Sequence, residues 1–230
     1  MTRKEQIKSA YKLTGGHASF YDGMMTYSTL PGKAICRIVW NMDGEKNLRY
    51  LERALSGIPE DFSGKLLEVP VGTGVLTMPV YRELPDADIT CLDYSENMMA
   101  SAQKKAKAVG IRNITFMQGD VGALPFADGS FDIVLSLNGF HAFPDKEAAY
   151  RETFRVLKPG GLYILSDTGI GGVGGWIDNH ILFRLARSGD CHTTNRHGIA
   201  RMMEQAGFTV TESRQIQGMI YTVTGKKGAK

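Results

Sequence analysis

Between Lys65 and Asp167 the chain alternates short apolar runs with longer stretches whose apolar residues follow helical spacing. The apolar runs are KLLEVPV, ADITCLD, NITFMQ, FDIVLSL and LYILSD, and the helical stretches are VLTMPVYREL, SENMMASAQKKAKAVG and KEAAYRETFRVL. Short, nearly continuous apolar strands separated by helices are typical of a parallel sheet with helices on both faces. The pattern therefore predicts an α/β fold.

Local signals mark where two of these helices begin and end. Ser95 stands at the start of the second helical stretch, where its hydroxyl is suited to cap free N–H groups. The segment KPGG, residues 158–161, is predicted to stop the third helix, because Pro159 has no N–H to donate and Gly160 accepts a left-handed backbone. The strand LYILSD then follows.

The end of the chain departs from this alternation. After the glycine-rich segment TGIGGVGG, a helix is predicted around Arg196–Ala206, followed by the two strand-like runs FTVTESRQI and MIYTVTG. Only Gln217 and Gly218 separate these runs, so they are predicted to form a hairpin. One strand must then enter the sheet antiparallel.

The first 63 residues lack the strand–helix alternation. We expect residues 1–63 to form an N-terminal helical cap or lid on a domain of residues 64–230, in which residues 168–195 form an insertion over the substrate. The cap could line the acceptor pocket, or it could simply pack against the sheet.

Composition limits the possible partners. The 230 residues carry a formal net charge of +3, and the short basic cluster GKKGAK is typical of a solvated tail rather than a nucleic-acid surface. Three scattered cysteines argue against a disulfide framework and favour a reducing compartment. No apolar stretch approaches the roughly 18 residues of a membrane span. We expect a cytoplasmic protein with no nucleic-acid or membrane partner.

The loop after the first strand reads EVPVGTG and contains Gly72 and Gly74. A loop that joins a strand to a helix presents free N–H groups at the positive end of the helix dipole, which attracts an anion. A dinucleotide-binding loop needs a third small residue, and here that position is Thr77. The glycine pattern alone therefore does not identify the ligand.

Three carboxylates at predicted strand ends indicate which ligand the loop binds. Glu68, just ahead of the glycines, would repel a pyrophosphate but suits an ammonium group. Asp93, about 20 residues beyond the glycines, is placed to accept hydrogen bonds from ribose hydroxyls. Asp120 can accept from an adenine amino group, and the N–H of Val121 can donate to its ring. An amino-acid end, a ribose and an adenine together describe S-adenosylmethionine.

At this point the sequence resembles the class I S-adenosylmethionine-dependent methyltransferases that act on small molecules. The motifs that carry the resemblance are EVPVGTG, DYS, GDV, LPF, FDIV and LKPGG, in that order. The resemblance implies a Rossmann-like sheet of seven strands in the order 3-2-1-4-5-7-6, with strand 7 antiparallel. That family usually has glycine where Pro70 stands here.

The motifs give a set of expected cofactor-binding residues. They are Glu68, Val69, Pro70, Gly72, Thr73, Gly74, Asp93, Tyr94, Ser95, Met98, Gly119, Asp120, Val121, Leu137 and Asn138. Met98 could either pack its helix against the core or line the adenine pocket.

The acceptor pocket is expected beside the loop after the fourth strand, the segment after the fifth strand and the N-terminal cap. The predicted substrate-binding residues are aromatic or methionine, which suits a small, partly apolar molecule: Tyr21, Met24, Met25, Tyr27, Phe140 and Phe143. The segment from Thr168 to Asp190 and the residues up to Gly32 are predicted to close over the acceptor. No metal site is predicted, although Cys191, His192 and His197 are close in sequence.

His141 directly follows the fourth predicted strand. Because an oxygen or nitrogen acceptor must lose a proton around the time of transfer, we predict that His141 is the general base. The alternative is that His141 shapes the loop through hydrogen bonds to the backbone.

Other functions stay open. The segments YDGMM and LPFADGSFD are similar to the ubiquinone and menaquinone C-methyltransferases, whereas NGFHAFPD departs from their pattern. An NAD-binding oxidoreductase would use Gly72, Gly74 and Asp93 but would leave Glu68 and Asp120 without a role. A module that binds S-adenosylmethionine without catalysis is the remaining alternative. The oligomeric state is not predicted.

Overall fold

The computed structural model describes residues 22, 23, 30, 33, 50–169, 194–217 and 220–229. The strands are β1 (Lys65–Glu68), β2 (Asp88–Asp93), β3 (Ile114–Gln118), β4 (Phe131–Leu137), β5 (Leu157–Thr168), β6 (Thr209–Gln217) and β7 (Ile220–Lys226). The helices are α1 (Met78–Tyr81), α2 (Glu96–Ala108), α3 (Lys146–Val156) and α4 (Arg196–Gln205). Residues 50–54 are also helical.

The seven strands form one sheet in the order β3-β2-β1-β4-β5-β7-β6. The pairs among β1 to β5 are parallel, and β7 runs antiparallel to both of its neighbours. The predicted fold is therefore confirmed. Gln217 pairs with Ile220 after a register shift, so the two residues between β6 and β7 are one position later than predicted.

Helices cover both faces of the sheet because neighbouring residues of each inner strand point to opposite sides. Leu66 lies in one apolar cluster with the buried side chains of residues 50–58 and of α2. Leu67 lies in the other cluster, with α3 and α4. Residues 50–58, which were assigned to the cap, thus pack as part of the core of the sheet domain.

The helix after β1 is much shorter than predicted. The stretch VLTMPVYREL was expected to be helical throughout, but α1 comprises only Met78–Tyr81. Pro79 lies in the first turn and has no N–H to give to the carbonyl four residues earlier, so the helix cannot extend back to Val75. The macrodipole of a single turn is small, which weakens the expectation that this helix attracts an anion.

The predicted boundaries of β2, β3, β4 and the third helix hold to within about a residue, whereas β1 ends three residues earlier than predicted and β5 begins five residues earlier. The Ser95 hydroxyl accepts the N–H of Met98 and caps α2, as predicted. Helix α3 ends at Val156, and β5 begins at Leu157, so the KPGG segment lies in the strand instead of ahead of it. Gly160 has the expected left-handed backbone, with φ of 79°. Within the described ranges no helix combines the length and apolarity of a membrane span.

Candidate cofactor and acceptor site

A recess opens at the carboxyl ends of β1 and β4, which lie side by side where the strand order reverses. Open α/β sheets bind ligands at this point because the loops diverge to opposite faces. The recess is open to solvent and is lined by Glu68, residues 70–77, Leu137 and Asn138. The structure thus brings the predicted loops together at one recess, and their role in binding stays a prediction.

The glycine loop, residues 70–74, is held against β2 and α2. Gly72 and Gly74 have φ of 56° and 65°, which favours glycine at both positions. A Cβ on Gly74 would lie 2.9 Å from Met78 Cε and 3.0 Å from Ala102 Cβ, so the loop packs too closely on α2 for a larger residue. Its conformation is therefore set by packing as well as by sequence.

Asp93, at the end of β2, is hydrogen-bonded to this loop. Its Oδ2 accepts the N–H of Gly72 at 2.7 Å, and its Oδ1 accepts the N–H of Ser95 at 2.8 Å. The Gly72 N–H is thus bound by Asp93, although it was expected to face the cofactor. A carboxylate oxygen has more than one lone pair, so Asp93 can still accept from ligand hydroxyls.

Glu68 is buried at the base of the recess. Its Oε2 accepts from Tyr81 Oη at 2.9 Å, from Thr77 Oγ1 at 3.0 Å and from Cys91 Sγ at 3.7 Å. Burial raises the pKa of Glu68 to about 8, although these hydrogen bonds act to lower it. The carboxyl is therefore largely neutral at pH 7, and a cation in the recess would favour its ionised form.

Asn138 supplies a second acceptor to the recess. Its backbone is left-handed, with φ of 50°, and its N–H donates to the Ser166 carbonyl at 2.8 Å. Its Oδ1 is buried and has no hydrogen-bond partner among the described residues. A buried acceptor without a donor is costly, so Asn138 Oδ1 is available to a donor on a ligand.

These features test whether the recess fits the amino-acid end of S-adenosylmethionine. Glu68 and Asn138 both accept hydrogen bonds, and none of the residues described around the recess is a lysine or an arginine. Such a set suits an ammonium group and offers no positive charge to a pyrophosphate. The residues present therefore fit this cofactor.

The predicted adenine side lies at the ends of β2 and β3. The Gly119 N–H donates to the Asp93 carbonyl at 3.1 Å, which joins the two strand ends. Asp120 accepts the Gly122 N–H at 2.8 Å. Tyr94 is 78% exposed and Met98 38% exposed, so Met98 does not pack into the core as one reading proposed.

Leu137 and Val69 were also predicted to bind the cofactor, and they lie in different environments. Leu137 lines the recess. Val69 is buried in the core, and its N–H donates to the Leu135 carbonyl at 2.9 Å. Its side chain therefore supports the strand end, and the predicted cofactor contact of Val69 finds no support.

His141 is paired with Asp167, a residue that sequence reasoning missed. His141 lies in a 3-10 turn, Phe140–Ala142, and its Nδ1 is 2.7 Å from Asp167 Oδ1. Asp167 Oδ2 accepts the backbone N–H of His141 at 2.8 Å, and Oδ1 also accepts the Thr168 N–H at 2.7 Å. Both carboxylate oxygens thus orient the histidine and its loop.

The pair changes the titration of the histidine. Burial lowers the pKa of His141, but the charge of Asp167 and its hydrogen bond raise it by more, so the pKa lies above its ordinary value. Lys146 acts in the opposite direction, since its charge lowers the pKa of His141. A signal for Asp167 was present in the sequence, because parallel strands end at one edge and Asp167 is near the end of β5.

Phe140 and Phe143 lie in the core, although they were predicted to bind the substrate. Phe140 is 1% exposed and Phe143 6%, and the ring of Phe140 is 5.0 Å from that of Tyr150. The two rings support the loop that carries His141. Their predicted contact with the acceptor finds no support in these positions.

The remaining acceptor predictions lie outside the described residues. These are Tyr21, Met24, Met25, Tyr27, most of the predicted insertion at 168–195, Cys191 and His192. Within the ranges that the structure describes, no group of three His, Cys, Asp or Glu side chains is arranged to hold a metal.

Known proteins are similar to this chain in sequence and in fold. Residues 66–161 match the model of a methyltransferase domain. The demethylmenaquinone methyltransferase of Thermus thermophilus is 37% identical over 119 residues, which are 52% of this chain and 54% of that protein. The enzyme of the same name from Lactococcus lactis is 40% identical over 110 residues, 47% of this chain and 44% of that protein. The chain thus spans about half the length of the curated relatives it matches.

The fold is similar to that of the YcgJ protein from Bacillus subtilis. The TM-score is 0.67 over 78% of this chain and 98% of that chain, at 18% identity, which shows the fold alone. The matched methyltransferase domain runs from Leu66 in β1 to Gly161 in β5 and so contains the loops that form the recess. Residues 66–161 therefore match a methyltransferase domain, and the seven-stranded sheet that contains them has the strand order implied by the resemblance to the class I S-adenosylmethionine-dependent methyltransferases.

Proposed function

We propose that this protein transfers the methyl group of S-adenosylmethionine to a small-molecule acceptor that loses a proton in the reaction. The observation that carries the proposal is the pairing of His141 with Asp167 at the same sheet edge as the recess. A histidine backed by a carboxylate is an arrangement suited to general-base catalysis. The cytoplasmic location and the absence of nucleic-acid partners stay predictions.

The cofactor would be held by groups from three strand ends. Glu68 and Asn138 would accept from its ammonium group, and Asp93 would accept from its ribose hydroxyls. Tyr94, Met98, Asp120 and Val121 would contact the adenine. When bound, this cofactor supplies an electrophilic methyl group on a sulfonium.

His141 and Asp167 are the residues that would remove a proton from the acceptor. Hydrogen bonding of Nδ1–H to Asp167 selects the tautomer in which Nε2 is basic. The carboxylate also stabilises the imidazolium that forms when Nε2 takes a proton from the acceptor. The backbone bond from His141 N–H to Asp167 keeps the ring from turning away as its charge changes.

One acceptor class has a specific observation in its favour. The relatives from Thermus thermophilus and Lactococcus lactis are named demethylmenaquinone methyltransferases. A demethylated naphthoquinol would fit the proposed chemistry, because loss of a hydroxyl proton makes its ring carbon nucleophilic. The second candidate is therefore a quinone C-methyltransferase, with His141 as the base for that hydroxyl.

Binding and transfer are tested separately. Calorimetry with S-adenosylhomocysteine and NAD in parallel should show binding of the first compound alone. Labelled S-adenosylmethionine is then supplied with a ring-unsubstituted naphthoquinol or with fractionated metabolites, and we expect label in one product. His141→Ala should lower turnover by roughly 10²–10⁴-fold with little change in affinity for S-adenosylhomocysteine.

The possible results separate the alternatives. Binding of NAD in place of S-adenosylhomocysteine would contradict the cofactor assignment. Binding of S-adenosylhomocysteine without transfer to any acceptor would favour a non-catalytic module. A His141→Ala variant with full turnover would remove His141 from the chemistry.

A further inference from the structure

Asp22 reaches the glycine loop from outside the sheet domain. It lies 43 residues ahead of the first residue of β1, Lys65, yet it is only 3% exposed. Its Oδ1 accepts from Thr73 Oγ1 at 2.6 Å, and its Oδ2 is 2.9 Å from Lys105 Nζ. One buried carboxylate thus joins the N-terminal segment, the loop and α2.

Asp22 contacts the glycine loop at Thr73, which is one of the residues that line the recess. Thr73 stands between the two left-handed glycines, Gly72 and Gly74, and it is 6% exposed. Glycines leave a backbone free to adopt several conformations, so such a loop needs outside contacts to hold one of them. Asp93 accepts a hydrogen bond from the N–H of Gly72, and Asp22 accepts one from the hydroxyl of Thr73.

Lys105 offsets the free-energy cost of burying the Asp22 carboxylate. Its side chain is 13% exposed, and its Nζ also donates to Ser101 Oγ at 3.0 Å on the same helix. A buried carboxylate without a cation would be strongly destabilising, whereas a paired and hydrogen-bonded one is not. Helix α2 begins just after Asp93, the residue proposed to bind the ribose. The ion pair between Asp22 and Lys105 therefore keeps the glycine loop in a defined position relative to α2.

We infer that Asp22 is a positioning residue for the cofactor loop, which it fixes through the Thr73 hydroxyl. Cofactor affinity then depends on a carboxylate that lies outside the matched methyltransferase domain. Asp22 acts through Thr73 and touches no reacting atom. The test by cofactor affinity rests on the proposed function. The test by hydrogen exchange depends only on the conformation of the loop.

The affinity test compares substitutions that remove or keep one contact. Thr73→Val loses the hydroxyl at nearly constant volume, whereas Thr73→Ser keeps it. Thr73→Val and Asp22→Asn should each weaken binding of S-adenosylhomocysteine by about 10- to 100-fold, the range for a hydrogen bond to a charged group, with Thr73→Ser within about twofold. The double variant should lose less affinity than the sum of the two single losses, because both substitutions weaken the same contact between Thr73 and Asp22.

A matched control separates the contact from general effects on α2. Lys105→Met should weaken binding, whereas Lys104→Met, on the exposed face one residue earlier, should not. In turnover assays Thr73→Val should raise KM for S-adenosylmethionine with little change in kcat. If Thr73→Val binds like the parent protein, or if Lys104→Met loses as much as Lys105→Met, the inference is wrong.

Hydrogen exchange without ligand distinguishes this inference from the cofactor assignment. Amides of residues 71–76 should exchange faster in Thr73→Val than in Thr73→Ser, whether or not the protein binds S-adenosylhomocysteine. Unchanged exchange in Thr73→Val would overturn the inference. If the parent protein fails to bind S-adenosylhomocysteine but exchange responds as expected, the proposed function fails and the positioning role stands. Should Asp22→Asn not fold, the two Thr73 variants still decide the question.

Discussion

Gly139 lies against the ring of Pro70, where a Cβ on the glycine would overlap Cγ and come within 2.6 Å of Cδ. The two residues follow β4 and β1, so their contact joins the two loops that bound the recess. The related methyltransferases usually have glycine at the position of Pro70. The proline in this chain is therefore accommodated by glycine at position 139.

Gly139→Ala should destabilise the protein by about 1–3 kcal/mol, because the added methyl group has no room beside Pro70. The backbone at Gly139 has φ of −137°, outside the left-handed region that favours glycine, so the main loss is expected from the contact. Denaturant unfolding would measure it. The double variant Pro70→Gly/Gly139→Ala should recover most of the loss, and a strictly additive result would contradict the coupling.

Asp167→Asn should lower turnover by up to roughly 10²–10⁴-fold, because the amide no longer stabilises the imidazolium of His141. Since Asp167 raises the pKa of His141, the acidic limb of the pH–rate profile should move to lower pH in the variant. Asp145→Asn is the matched control, because that exposed carboxylate caps α3 and asparagine caps equally well. An acidic limb that stays in place would argue that another group controls it.

Glu68→Gln should flatten the dependence of stability on pH. The pKa of Glu68 rises from 4.5 to about 8 on folding, so the folded state binds a proton more tightly than the unfolded state. The stability from this group is fully present below pH 4.5 and is lost as the pH rises through 8. The loss is on the order of a few kcal/mol, and denaturant unfolding at several pH values would measure it.

Binding of the cofactor should release a proton from the same residue. A ligand ammonium beside Glu68 favours the carboxylate, so the pKa of Glu68 must fall when the ligand binds. Calorimetry at neutral pH in buffers of different ionisation enthalpy would report the release. It should disappear in Glu68→Gln, and an equal release from both proteins would assign the proton to another group.

Asp93→Ala should weaken binding of S-adenosylhomocysteine by about 1.5–3 kcal/mol, through the loss of hydrogen bonds to the ribose hydroxyls. The N–H groups of Gly72 and Ser95 also lose their acceptor, so unfolding should become easier as well. Asp88→Ala at the opposite end of β2 serves as the control, because its side chain is 63% exposed. Unchanged affinity in Asp93→Ala would remove Asp93 from the cofactor site.

Much of the fold follows from local sequence pattern. The period of apolar residues predicts β2, β3, β4 and α2 almost to the residue, because each strand or helix buries one face at its own spacing. Glu68, Asp93 and Asp120 were predicted to bind the cofactor because each lies at the end of such a run or shortly after it. Where a local rule was overlooked, as with Pro79 in α1, the prediction was wrong.

The partnerships within the site were decided only by the tertiary structure. His141 and Asp167 are 26 residues apart, and Thr73 and Asp22 are 51 apart. Which side chains meet depends on which strands are neighbours and in what register, and no local period contains that information. The same reason explains Phe140, whose burial is set by Tyr150 on α3. The sequence by itself determined the order of the strands and helices and the chemistry at the strand ends, and packing decided which of those groups act together.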